Sequence, residues 1–102
     1  MKANNNENNK HFEIERIINL EGTSAECLLL AKKTNKLLAG CDNLNILIFN
    51  TNNLDYEGCL RGHRHIILCL FELNSGFVLS SSWDLTIKMW DIERKECIII
   101  LI

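Results

Sequence analysis

A chain of 102 residues has room for one small domain with a thin core. Hydrophobic side chains make up 47% of it and charged ones 24%, which excludes disorder throughout, while a net charge of −2 excludes a broad basic surface that grips nucleic acid regardless of sequence. Five loosely spaced cysteines, at 27, 41, 59, 69 and 97, do not form the framework of a secreted disulfide scaffold.

The first segment, 1–12, is rich in asparagine and poor in apolar side chains, so it is expected to be disordered and the fold to occupy 13–102. Short apolar runs follow at 14–20, 27–31, 37–41, 46–49, 59–60, 66–71, 77–79, 87–90 and 97–102, separated by polar or turn-forming residues at strand-like spacing. Several are apolar on both faces, 66–71 most clearly, which suits a strand covered from two sides. Residues 24–33 dissent, being rich in helix formers behind a capping Thr23 or Ser24. No leader-like opening and no apolar run near the roughly 18 residues that cross a bilayer is seen, so the expected setting is cytoplasmic or nuclear, with reduced thiols.

An internal repeat decides the helical segment. Shifting the chain by 41 places sets 37–50 over 78–91 without a gap, with Leu38, Leu44 and Ile46 identical to their counterparts and Phe49 over Trp90. Leu60 falls on Leu101 at the same offset. With one residue removed from the loop before Leu37, Leu20-Glu21-Gly22-Thr23 falls on Leu60-Arg61-Gly62-His63, which sets 27–30 over 67–70. The counterpart reads as strand, so 24–33 is read as strand too.

Gly62-His63 and then Ser82-Trp83-Asp84-Leu85-Thr86-Ile87-Lys88-Met89-Trp90-Asp91 resemble the Gly-His and Trp-Asp landmarks of a WD40 repeat, whose period of roughly 40 to 45 residues contains the one found here. In the first copy Thr23, Cys41, Asn43 and Phe49-Asn50 replace the usual residues. The resemblance covers most of 14–102 and implies an all-β fold of antiparallel four-stranded blades, about two WD40 blades of an incomplete β-propeller. It places an outer strand of another blade at 14–20, a degenerate blade at 24–61 and a well-matched blade at 66–101. The final residues then read as an outer strand just short of another Gly-His. That suggests a piece of a longer chain, the rival being a short protein that closes its ring by self-association.

The resemblance further implies that His63, Ser82, Asp84 and Trp90 form a buried hydrogen-bond network, Trp90 Nε1 meeting Ser82 and the His63 ring meeting Ser82 or Asp84. The first copy, with Cys41 and Phe49, should lack it. Leu44 and Leu85 stand where the family often has glycine, and a left-handed conformation would be strained for leucine, so the second turn is expected to keep Leu85 at negative φ.

Ser82, His63 and Asp84 are also the residue types of a hydrolytic triad, but Ser82 lacks the Gly-x-Ser-x-Gly elbow that exposes a nucleophile. Cys59, His63, His65 and Cys69 offer soft metal ligands, yet C-x3-H-x-H-x3-C is not a common zinc spacing, and the glycines are too scattered for a phosphate loop. Neither cofactor nor metal is therefore expected. The expected function is non-enzymatic, a scaffold that binds other proteins through loops at 34–36, 52–57, 61–65 and 93–96, with self-association through exposed blade faces and no nucleic-acid or membrane partner. The alternative within the same fold is the substrate-receptor propeller of an F-box-type ubiquitin ligase, on the looser resemblance of Leu60-x-Gly62-His63, Cys69-Leu70, Ser82-x-Asp84 and Glu96-Cys97-Ile98.

Overall fold

The computed structural model describes residues 17–20 and 22–102. Eight strands form two antiparallel sheets in simple up-and-down order, and no helix occurs among the described residues. The first sheet comprises β1 (Ala25–Ala31), β2 (Lys36–Cys41), β3 (Asn45–Asn50) and β4 (Tyr56–Arg61); the second comprises β5 (Ile67–Glu72), β6 (Val78–Ser82), β7 (Ile87–Asp91) and β8 (Glu96–Leu101). The expected disorder at 1–12 lies outside the described residues, as do 13–16. Residues 17–20 carry no strand pairing; Ile18 and Leu20 instead lie on a face of the first sheet, against Ala39, Cys41 and Phe49.

β1 is a strand despite its helix-forming composition because burial follows a period of two. Cys27, Leu29 and Ala31 turn toward the second sheet, while Leu28 and Leu30 are 64% and 52% exposed. The repeat recurs in the irregularities as well: β-bulges fall at Ala25/Cys27 and Ile67/Cys69, and again at Ile48/Phe49 and Met89/Trp90. These bulges correct the expected alignment of β1 with β5. Ala25 corresponds to Ile67, Cys27 to Cys69 and Leu28 to Leu70, because the loop after Gly62 is two residues longer than that after Gly22 and the following hairpin is one residue shorter.

The two sheets stack on one apolar core. Leu38, Ile46, Ile48 and Leu60 of the first sheet meet Ile67, Leu70, Val78 and Trp90 of the second, all nearly inaccessible to solvent. The sheets lie close together at Gly40, where an added Cβ would lie 2.6 Å from Ile67 Cγ2. At one end of the stack the Glu72 carboxylate accepts from the backbone N–H groups of Lys32 (3.0 Å) and Lys33 (2.9 Å), tying the β1–β2 turn to the end of β5. The opposite face of the second sheet is bare among the described residues: Phe71, Ile87, Ile99 and Leu101 are all exposed.

Candidate functional site

At the end of the second sheet away from Glu72, three segments converge. Gly62, at φ 153, lets the loop after β4 swing His63 inward over Trp90, whose Cη2 lies 3.3 Å from where a Gly62 Cβ would be. The β6–β7 turn brings Asp84 to the same place, and β6 and β7 supply Ser80 and Trp90 from their buried face. The side chain of His63 is fully enclosed and that of Asp84 is 8% exposed.

The polar atoms form a continuous relay. Trp90 Nε1 donates to Ser80 Oγ (2.8 Å), Ser80 Oγ lies 2.6 Å from His63 Nε2, and His63 Nδ1 lies 2.8 Å from Asp84 Oδ2. One assignment of protons satisfies every member: Ser80 accepts from Trp90 and donates to Nε2, and a neutral imidazole donates from Nδ1 to Asp84. Asp84 also accepts from the Arg64 N–H (2.9 Å), the Thr86 N–H (2.9 Å) and the Thr86 hydroxyl (2.6 Å). Burial works to raise the Asp84 pKa, but the hydrogen bonds from Thr86, Arg64 and His63 outweigh it and hold the carboxyl well below the usual carboxylate range.

Ser82 is not in this relay, which corrects the expectation that Trp90 would meet it. Its hydroxyl donates to the His65 carbonyl (3.1 Å) and accepts from the Asp84 N–H (3.0 Å), closing the turn instead. Trp90 pairs with Val78 across the ladder, so Ser80 is its diagonal neighbour and Ser82 lies two pairs farther on. The register could have been read from the short β6–β7 connection. Ser80 and Thr86 are the members that residue types alone did not single out.

The hydrolytic arrangement fails on the same geometry, since the Ser82 hydroxyl bonds to the His65 carbonyl and the Asp84 N–H and not to the His63 ring. Ser80 does sit in a serine–histidine–aspartate order, but it is 1% exposed and capped by the Trp90 indole, which leaves a substrate carbonyl no approach to its oxygen. Cys59, His63, His65 and Cys69 do not converge, and no group of three or more ligand-type side chains is placed to hold a metal among the described residues.

The first sheet has a shorter version. Ala39 and Phe49 stand where Ser80 and Trp90 stand in the second, and neither carries a polar side-chain group. Asp42 takes over part of the role, accepting from Thr23 Oγ1 (2.7 Å) and the Ser24 N–H (2.9 Å). Cys41 turns its thiol to the Ala39 carbonyl.

Above the relay, solvent meets an apolar rim. Trp83 is 57% exposed and packs edge-on to His65 with ring centroids 5.4 Å apart. Leu85 is 83% exposed and adopts φ 72; Leu44, its counterpart, adopts φ 76. Negative φ was expected at Leu85. In each turn a side-chain oxygen, of Asp84 or Asn43, accepts from the N–H two residues on, Thr86 or Asn45, and this local bond holds the intervening leucine in the left-handed region.

No family model matches the chain. "Small ribosomal subunit protein RACK1" of Schizosaccharomyces pombe is 36% identical over 67 residues, covering 60% of this chain and 21% of that protein. "Probable E3 ubiquitin ligase complex SCF subunit scon-2" of Neurospora crassa is 39% identical over 51 residues, covering 49% of this chain and 8% of that one. The crystal structure of the RRP9 WD40 repeats superposes with a TM-score of 0.70 over 76% of this chain and 24% of that one, at 22% identity. The chain carries two WD40 repeats. Each four-stranded sheet is a WD40 blade, and the Gly-His and Trp-Asp residues that marked the repeat lie where the loops of the second blade meet its strands. The chain spans about a fifth or less of the length of the relatives named. Among the described residues no helix is long and apolar enough to cross a membrane.

Proposed function

We propose that the chain is a non-enzymatic protein-interaction module that presents its partner with the rim formed by Trp83, His65, Leu85 and Arg64. One observation carries the reading: a large aromatic ring stands more than half exposed on a turn whose base is pinned by a buried, fully paired hydrogen-bond relay. Interfaces draw most of their affinity from a few rigid aromatic anchors, and a pre-ordered anchor loses little freedom on binding. In this reading His63, Ser80, Asp84, Thr86 and Trp90 are structural, and the partner is a protein rather than nucleic acid or membrane. The relatedness to a ribosomal-subunit protein supports an intracellular setting, cytoplasmic or nuclear.

The test is affinity capture from the native source, comparing the chain with Trp83→Ala and with Arg94→Ala at the far end. A partner retained by Arg94→Ala and lost by Trp83→Ala supports the rim; a partner held equally by all three overturns it. The similarity to the SCF subunit scon-2 favours a second reading, a substrate receptor of an F-box-type ubiquitin ligase. An F-box-like helical segment in the same open reading frame would support it, and its absence from the complete reading frame would remove it.

A further inference from the structure

Every polar side chain that the rim above the relay leaves open is a hydrogen-bond donor. The Ile66 N–H donates to His65 Nδ1 (2.9 Å), so Nδ1 is an acceptor and the ring proton sits on Nε2. That ring stands beside Trp83, whose indole offers a further N–H and no lone pair. Arg64 is engaged through its backbone N–H, and no described residue accepts from its guanidinium or from Trp83 Nε1. The side-chain acceptors behind these donors are all occupied. Each Asp84 oxygen is bonded twice, Oδ2 by the His63 ring and the Arg64 N–H, Oδ1 by the Thr86 N–H and hydroxyl. The Ser82 hydroxyl is taken up by the His65 carbonyl and the Asp84 N–H, and the carbonyls of Ile66 and Ser82 accept from the N–H groups of Trp83 and Leu85.

We propose that the rim takes an acidic stretch of a partner protein, an Asp or Glu carboxylate docking among the Arg64, His65 and Trp83 donors while a neighbouring apolar side chain packs on Trp83 and Leu85. The proposal rests on the rim reading above and names the chemistry of its partner. A partner that covered these donors without supplying acceptors would strip them of water and leave them unpaired, which disfavours it. A basic stretch would set like charge against Arg64. A carboxylate matches the donor set because it only accepts, and a guanidinium pairs with both of its oxygens at once. The charge count points the same way. Arg64 is the one cation among the rim residues and balances one carboxylate, whereas a phosphorylated side chain brings a charge of roughly −1.5 to −2 and finds no second cation there. Leu85, 83% exposed on the same turn as Trp83, supplies the apolar half of the contact.

The experiment selects binders to the whole chain from a random-peptide display library and measures the selected peptides by fluorescence anisotropy. The selected sequences should be enriched in Asp and Glu beside an apolar residue. Their binding should fall about tenfold or more in Arg64→Gln and in Trp83→Ala, and hold in Arg94→Ala at the far end. Exchanging the peptide's carboxylate for its amide should weaken binding to the unaltered chain by a similar factor and change little against Arg64→Gln, because the two changes remove one interaction. Peptides that are lost in Trp83→Ala but are neutral or basic would overturn the acidic partner and leave the rim reading standing. Peptides indifferent to Trp83→Ala, or no enrichment at all, would remove the rim and this proposal together. A phosphoserine in place of the carboxylate that bound about tenfold more tightly would overturn the assignment to a carboxylate. Should Arg64→Gln or Trp83→Ala disturb folding, as read by near-ultraviolet circular dichroism, the amide exchange against the unaltered chain puts the same question: undiminished binding of the amide peptide overturns the proposal.

Discussion

Ser80 and Ser82 carry the same hydroxyl on the same strand, and only their distance from Trp90 along the ladder separates them. Ser80→Ala strips partners from both the buried indole and the buried imidazole. It should cost about 1 to 3 kcal/mol in urea unfolding, whereas Ser82→Ala, whose partners lie at the solvent-facing turn, should cost about 0.5 to 1.5 kcal/mol; equal losses would remove Ser80 from the centre of the relay. Asp84 sets a pH dependence of definite sign. Its folded pKa is depressed, so its contribution to stability is fully present above the unfolded value of about 3.9 and is lost as pH falls below that toward the folded value. Acid titration of unfolding should therefore show a limb below about pH 5 that flattens in Asp84→Asn. Leu85 stands in the left-handed region with its side chain in solvent, so Leu85→Gly should stabilise the chain by about 0.5 to 1 kcal/mol while removing an apolar group from the rim. The family resemblance pointed to His63, Asp84 and Trp90, and their donors and acceptors suited the pairing that burial demands. Residue chemistry could not choose between the serines, a matter of register, or foresee the leucine φ values, which follow from a local hydrogen bond.

At the scale of the strands, hydrophobic patterning located most of the ladder, and the repeat overruled helix propensity at β1. The pattern was silent on bulges and loop lengths, and the alignment of β1 with β5 slipped for that reason: the residues after Gly62 are loop, with no periodicity to count. Gly40 was likewise invisible, since nothing in its neighbours announces that another sheet passes within van der Waals range. Gly40→Ala should lower stability by about 1 to 3 kcal/mol by wedging the sheets apart at Ile67, whereas Ser81→Ala at the corresponding bare position should be near neutral. Denaturant midpoints at constant slope would measure both.

For the molecule as a whole, the larger core belongs to neither blade alone but lies between them. The two blades should therefore unfold together. In a Trp83→Phe background, where Trp90 of the second blade is the remaining tryptophan, Leu38→Ala in the first blade should shift the fluorescence transition by about 2 to 5 kcal/mol. An unmoved Trp90 transition would show that the blades melt independently.

β8 has a property separate from its face. It is the edge of its sheet, its residues are exposed from Glu96 to Leu101, and Cys97, Ile98, Ile99, Ile100 and Leu101 carry no charge or proline to discourage another strand. A row of open backbone donors and acceptors on an apolar, β-branched segment is a template for strand addition. Handling conditions then select between two outcomes: brief exposure at low concentration preserves discrete species, whereas prolonged warming favours slow conversion to fibrils with cross-β order. A single lysine at Ile100, which alternates away from the bare face, would act as a gatekeeper against that conversion.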